Sequence, residues 1–191
     1  MSYRRPDHWT RKAKTEGYAA RSVFKLAQID RQFPVVPKTG RALDLGCFPG
    51  SWSRWLLLRG LAVTGVDLEA PEFTGGTWIV GSALEIDAEA LGGPFDLVVS
   101  DMAPNTTGDR FTDHCRQMAL ATRALDLCEP ILRPGGGFVT KVFDGEDAPA
   151  LVKRVQASFA ESKRIKPEAT RGRSVEFFVA ARGYRPPPRN R

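Results

Sequence analysis

Arg41-Ala-Leu-Asp-Leu-Gly46-Cys-Phe-Pro-Gly50-Ser-Trp-Ser-Arg-Trp-Leu-Leu-Leu-Arg-Gly60-Leu-Ala-Val-Thr-Gly-Val-Asp67 reads as strand, glycine loop, helix and strand. The apolar run 41–45 predicts the first strand, and the Gly/Pro stretch 46–50 a tight loop. Residues 52–59 predict a helix closed by Gly60, and 62–66 a second strand ending at Asp67. Two strands joined through a helix lie parallel in one sheet.

Further along, the turn-rich connection 71–76 leads to a short third strand at 77–80. Residues 95–100, 138–143 and 174–181 supply further strands. A long helical pattern over 111–132 is stopped by Pro134-Gly135, with Pro130 ending or kinking it early, and 148–160 is a second amphipathic helix. Toward the N-terminus, 18–33 places Val23, Leu26, Ile29 and Phe33 on one helical stripe, with Arg21, Lys25, Gln28 and Gln32 opposite. The alternation predicts an α/β protein with a mostly parallel sheet covered by helices on both faces.

Two of these strands carry charge where a buried strand should carry none. Phe95-Asp-Leu-Val-Val-Ser-Asp101 exits on a carboxylate, and Gly137-Phe-Val-Thr-Lys141-Val-Phe143 holds an amine inside. Such charges must be paired, solvated or functional.

The 191 residues favour one domain, and 42% hydrophobic with 26% charged residues excludes a disordered chain. No apolar stretch approaches the roughly 20 residues that cross a bilayer, and Met1-Ser-Tyr-Arg-Arg5 lacks a signal peptide's apolar core. A cytoplasmic protein without membrane contact is expected. Cys47, Cys115 and Cys128 lack metal-ligand spacing, and His8 and His114 offer no partner pattern, so no metal is expected and the cysteines read as small buried free thiols.

The net charge of +6 is unevenly spread. Residues 1–41 hold ten Lys/Arg against three Asp/Glu, 162–191 nine against two, and 42–161 nine against seventeen. Basic ends around an acidic middle suit a polyanion gripped by the termini and a smaller ligand held between them. The candidate grips are Arg4, Arg5, Arg11, Lys12, Lys14 and Arg21 at one end, and Lys163, Arg164, Lys166, Arg171 and Arg173 at the other. Solvated charge is the blander account, but clustering at both ends favours RNA or DNA. Residues 1–17 read as a basic arm, and 184–191 as a basic, proline-rich, mobile tail.

Glycines at a strand-to-helix turn let backbone approach a ligand at the carboxyl edge of a parallel sheet. Asp67, twenty-one residues beyond Gly46 at the end of the next strand, is placed to accept both ribose hydroxyls of a nucleoside. The dinucleotide fingerprint wants a glycine where Phe48 stands, followed here by Pro49. Phosphate cradling, and with it a nicotinamide-dependent oxidoreductase, is disfavoured. An adenosyl cofactor without a pyrophosphate fits better.

Asp44-Leu-Gly-Cys-Phe-Pro-Gly-Ser-Trp52, Ser100-Asp-Met-Ala-Pro-Asn105, Pro134-Gly-Gly-Gly137, Thr140-Lys-Val-Phe143 and Arg173-Ser-Val-Glu-Phe177 follow one another within residues 18–181. Together they resemble the FtsJ/RrmJ family of S-adenosylmethionine-dependent RNA ribose 2′-O-methyltransferases. The resemblance implies a Rossmann-like methyltransferase fold over 18–183, with a mostly parallel seven-stranded sheet, helices on both faces and one antiparallel strand near the C-terminus. It also implies a Lys-Asp-Lys-Glu tetrad at Lys25, Asp101, Lys141 and Glu176, with Lys141 the proton acceptor.

To the Gly46 turn the resemblance adds cofactor positions at Gly50, Trp52, Asp67 and Asp101. Where relatives often have an acidic residue near the adenine, this chain reads Val80-Gly-Ser82-Ala83, so Ser82 is the expected contact and Asp87 a poorer substitute. Phe48 replaces the relatives' Ala and should narrow the cavity. Similar bacterial members methylate a uridine in the A-loop of 23S rRNA, which implies a large-subunit rRNA partner within a ribosomal particle and a monomeric enzyme.

Independently of the resemblance, geometry brings three of these four charges to one point, while Lys25 rests on the resemblance alone. If the strands at 95–100 and 138–143 are neighbours, Asp101 and Lys141 emerge at one carboxyl edge, and an antiparallel last strand would start there with Glu176. Methyl transfer from a sulfonium to a hydroxyl is an in-line displacement, in which alignment alone can supply about 7–11 kcal/mol. Lys141 would orient the hydroxyl and take its proton as a neutral amine, or stay cationic and stabilise the developing alkoxide. Two alternatives stay open: the same chemistry on a tRNA or an mRNA cap, and a non-catalytic RNA-binding protein retaining the fold, which would show a broken tetrad or a filled cofactor loop.

Overall fold

The computed structural model describes residues 7–105, 107–170, 172 and 174–188. Helices α1 (His8–Thr15) and α2 (Val23–Gln32) precede the βαβ stretch, which folds as β1 (Gly40–Leu45), α3 (Ser51–Leu58) and β2 (Leu61–Asp67). Then come β3 (Thr77–Val80), β4 (Phe95–Ser100), α4 (Arg110–Ile131), β5 (Leu132–Phe143), α5 (Ala148–Ser158), β6 (Phe159–Ile165) and β7 (Glu176–Tyr184).

Among the described residues the strands form one seven-stranded sheet, ordered β3-β2-β1-β4-β5-β7-β6. The neighbours from β3 to β5 pair in parallel, and β7 runs antiparallel to both β5 and β6. Successive side chains point to opposite faces of a strand. Val98, Phe138, Val142 and Val179 therefore pack with Leu127 and Leu151 of α4 and α5. Leu97, Val99, Val139 and Phe178 pack with Leu26, Ile29, Trp52 and Leu56 of α2 and α3. Burying each such side chain contributes about 1.5–3 kcal/mol. No helix among the described residues is long and apolar enough to cross a membrane.

The structure departs from the sequence reading in several places. Helix α4 runs through Pro130 to Ile131, and β5 starts at Leu132 rather than 138, so Pro134-Gly135 lies in the strand. The helix expected from residue 18 starts at Val23, because residues 18–22 are held by α3 instead: the Ala20 N–H donates to Ser51 Oγ at 2.8 Å, and the Ser22 carbonyl accepts from Trp52 Nε1 at 2.7 Å. Part of the basic arm is a helix, α1, capped by Asp7, whose side chain accepts from the Thr10 N–H. The helix read through residue 160 stops at Ser158, and the unlocated seventh strand, β6, takes over the basic run from Phe159. Cys47 and Cys128 are buried as expected, whereas Cys115 is exposed.

Arg4, Arg5, Arg171 and Arg173 lie outside the described residues, as do residues 1–6 of the arm and 189–191 of the tail.

Candidate active site

A cleft of about 610 Å³ opens at the carboxyl ends of β1, β2 and β4. Gly46 makes the turn into it at φ 81°, and a Cβ there would lie 3.0 Å from the Met102 backbone, so only glycine fits. Gly50, at φ 104°, caps α3 where a Cβ would strike the Phe73 ring. Together these two glycines fold the loop flat against the sheet edge.

Asp67 ends β2 at the cleft floor. Its Oδ2 accepts the Phe48 N–H at 2.8 Å and its Oδ1 the Leu68 N–H at 2.7 Å. A carboxylate offers about four acceptor sites, so each oxygen keeps one for a hydroxyl. Phe48, Leu68 and Leu84 line the cleft and are exposed, apolar walls that a flat heteroaromatic ring would cover. Ser82 also lines it, its Oγ accepting the Leu84 N–H at 3.3 Å and keeping its own O–H to donate. Asp87 is exposed and stands outside the lining. These features fit an adenosyl group.

Gly50 and Trp52 stand behind the cleft rather than in its lining. Trp52 is 3% exposed and packs against Phe178 with ring centroids 5.8 Å apart. Any role of these two toward a cofactor runs through the loop backbone. Asp44, at the end of β1, is fully buried: its Oδ2 accepts from Ser53 Oγ at 2.6 Å and its Oδ1 has no partner among the described residues. Burial pushes this carboxyl up to about 7, against the Ser53 hydrogen bond and helped by the negative charges of Asp101 and Asp67. Burial, foremost, also pushes the Cys47 thiol up, which leaves it inert beside the loop.

At the cleft mouth the four predicted charges meet. Asp101, just past β4, lines the cleft. Lys141 Nζ donates to its backbone carbonyl at 2.6 Å and to its Oδ1 at 3.1 Å. Lys25 Nζ lies 3.9 Å from the same Oδ1 and donates to Glu176 Oε1 at 2.6 Å. The topology brings them together. The β4–β5 ladder ends at Ser100↔Thr140, and the antiparallel pairing of β7 sets Glu176 opposite Phe143 and Phe178 opposite Lys141.

Lys25 and Lys141 are buried, and the two amines face two carboxyl groups. Such buried pairs add little net stability, and what the arrangement secures is the position of the two amines. Burial pushes the Glu176 carboxyl up, but the Lys25 ammonium and, further off, Lys141 outweigh it, and the net direction is downward.

Sequence reasoning missed Gln117. It is 1% exposed in α4, and its Nε2 donates to the Lys141 carbonyl at 3.0 Å. Lys141 lies just beyond the β4–β5 ladder, so this amide supplies the donor that β4 no longer offers. A signal existed: Gln117 sits on the stripe of Ala121, Ala124 and Cys128, where a polar residue is out of place. Arg116 and Leu120 of α4, also unforeseen, close the far wall of the cleft.

The basic residues are less uniform than their run suggests. Arg11, Lys12 and Lys14 are exposed on α1, while Arg21 pairs with Asp7 at 2.6 Å. Lys163 is exposed on β6, Arg164 pairs with Asp144 at 2.9 Å over the Phe177 ring, and Lys166 donates to the Ser174 carbonyl. The two ends nevertheless adjoin, since Ala169 packs with Ala13 of α1 and with Val23 and Phe24 of α2.

The sheet order, the cleft and the charged mouth together define a Rossmann-like methyltransferase. A model of the FtsJ-like methyltransferase family matches residues 18–184, and the chain belongs to this family. It is 48% identical over 183 residues to a ribosomal RNA large subunit methyltransferase E of Desulfosudis oleivorans, covering 91% of this chain and 88% of the relative. A protein of the same name from Acidiphilium cryptum is 43% identical, with coverages of 94% and 83%. A solved structure from Plasmodium falciparum, provisionally named a ribosomal RNA methyltransferase, superposes with a TM-score of 0.77 at 21% identity, over 87% of this chain and 98% of that one.

Proposed function

We propose that this protein transfers a methyl group from S-adenosylmethionine to a ribose 2′-OH of RNA, the target being a uridine in the A-loop of 23S rRNA. The domain doing so spans 18–183, acts as a cytoplasmic monomer, and meets its substrate within a ribosomal particle. The names of the relatives support rRNA as the substrate.

The observation that carries the reading is the placement of Lys141 Nζ, held by two oxygens of Asp101 at the mouth of a cleft that suits a nucleoside. S-adenosylmethionine, when bound, supplies the methyl group as a sulfonium electrophile. Asp67 would hold the ribose hydroxyls of its adenosyl part, Ser82 would meet the adenine edge, and Phe48, Leu68 and Leu84 would cover the ring.

Toward RNA, Lys141 orients the 2′-oxygen. With two N–H groups engaged by Asp101, a neutral amine keeps its lone pair for the hydroxyl proton, and an ammonium keeps its third N–H for the forming alkoxide. Lys25 shares the Asp101 carboxylate with Lys141 and is itself held by Glu176, so Glu176 is engaged and does not draw Lys141 away from Asp101. Gln117 sets the backbone from which Lys141 projects. The adjoining basic ends grip phosphates, which position the strand and carry no base information.

Mapping ribose methylation across rRNA and tRNA in cells lacking the protein tests this directly. One uridine in the A-loop of 23S rRNA should lose its methyl group and regain it on complementation. Loss at a tRNA position instead, or at none, would contradict the assignment.

A further inference from the structure

A second, smaller cavity of about 240 Å³ lies between α1 and α2, on the helix that also carries Lys25. Trp9 and Phe24 form its aromatic wall, with ring centroids 5.3 Å apart. Lys12 and Arg31 line it with positive charge, and Lys12 Nζ lies 4.9 Å from the Phe24 ring and 5.7 Å from that of Trp9. Building on the RNA reading above, we propose that this cavity takes an unstacked base of the substrate strand, next to the nucleotide whose ribose is methylated.

The lining suits a base in each respect. The volume admits one heteroaromatic ring and not a base pair. Base stacking on an aromatic side chain contributes about 1–3 kcal/mol and tolerates any base. Gln28 is buried, and its Oε1 accepts the Ala169 N–H at 3.1 Å, which leaves the amide N–H donors for a base carbonyl. Glu168 adds an acceptor at the rim.

Position matches as well. Phe24 and Gln28 stand one residue before and three residues after Lys25 on α2, so the cavity and the tetrad share one stretch of the helix on neighbouring faces, turned about 60–160° from each other. A strand that reaches the tetrad can bend round α2 to place a neighbouring base there. The exposed Arg11 and Lys14 continue the positive charge along α1, where the phosphates of such a strand would run.

Stacking and charge neutralisation leave different signatures, because only the second changes the salt slope of binding. Ala27, partly buried in the lining, allows a variant that fills the cavity while keeping every existing side chain of the wall. The probe is a synthetic stem-loop carrying the A-loop sequence of 23S rRNA, intact or with an abasic residue at each position flanking the target in turn. Affinity is read by fluorescence anisotropy at several salt concentrations, and cofactor binding by calorimetry.

For the wild type, one abasic position should weaken binding about tenfold. Ala27→Leu should bind the intact RNA about tenfold more weakly, with the same salt slope and unchanged cofactor affinity, and should no longer distinguish the abasic RNA. Trp9→Leu, which still packs an apolar side chain on Phe24 but removes the stacking surface, should lose the same discrimination. Equal abasic penalties in wild type and both variants would overturn the proposal and leave the cavity as a packing feature of α1. Wild-type protein that neither binds the stem-loop nor methylates large ribosomal subunits from cells lacking it would instead strike the RNA reading on which the subsite rests; activity on the subunit without binding to the stem-loop moves the same abasic series into reconstituted subunits.

Discussion

Asp44 and Glu176 are carboxylates held by opposite halves of one sheet, and pH acts on them in opposite directions. In the parallel half, Asp44 is sealed beneath the glycine loop with one hydroxyl partner, and burial dominates. In the antiparallel half, Glu176 opens β7 beside two lysines, and their charge dominates. The parallel half neutralises the carboxyl sealed beneath its loop, while Asp67 and Asp101 line the cleft above it. The antiparallel half brings Glu176 to two buried amines and holds Lys25 in place.

The largest expected effect lies at Asp44. Its folded value of about 7 stands above its ordinary 3.8, so the folded protein binds the extra proton in between. Stability should fall as pH rises through that window, and the full cost, of about 4 kcal/mol, should be present above it. Asp44→Asn should abolish the slope in urea unfolding followed from about pH 4 to 8. Parallel curves for the two proteins would show that burial does not control this carboxyl.

Glu176 should answer with the reverse sign. Its folded value lies below 4.5, so the stability it contributes is present above 4.5 and is lost as pH falls through the lowered value. Glu176→Gln should cost about 2 kcal/mol at neutral pH, a difference that should shrink in acid. It should also slow methyl transfer more than tenfold, by freeing Lys25. Unfolding midpoints at neutral and acid pH, with single-turnover rates, would check both parts.

Smaller effects sharpen the same contrast. Gln117→Leu should lower kcat by about tenfold while the KM for RNA stays put, since the amide acts only through the Lys141 backbone. A parallel rise in KM would mean that α4 itself had moved. Replacing Arg11, Lys12 and Lys14 with serine should weaken RNA binding severalfold and flatten its salt dependence by up to about 0.9 for each phosphate no longer neutralised. An unchanged slope would remove α1 from the footprint.

The parallel half was the more legible in sequence, since its glycine loop, the strand-end aspartate and the apolar runs are local signals. Asp101 and Lys141 announced themselves as charges in apolar strands, and Glu176 followed once the last strand was taken as antiparallel. Lys25 carried no such mark: on a helix face it reads as solvated, and only family resemblance singled it out before the fold buried it.

Strand β6 escaped because Phe-Ala-Glu-Ser-Lys-Arg-Ile lacks the alternation of a half-buried strand, only Phe159 and Ile165 being buried. Its neighbour β7 supplies what its own side chains do not. Helix α1 escaped because Ala13 is its sole buried residue by position, and a basic octapeptide looks the same in sequence whether it folds or not. Trp52 drew attention as part of a motif, and its place proved to be the core between α2 and α3.

The central claim is that Lys141 acts on the hydroxyl while other groups bind the partners. Single-turnover methylation by Lys141→Ala of large ribosomal subunits from cells lacking the protein, beside calorimetric cofactor affinity and subunit affinity of the same variant, addresses it. The account predicts a fall in rate of about 10²–10⁴-fold with both affinities within about twofold of wild type. Methyl transfer at a rate comparable to wild type would contradict it.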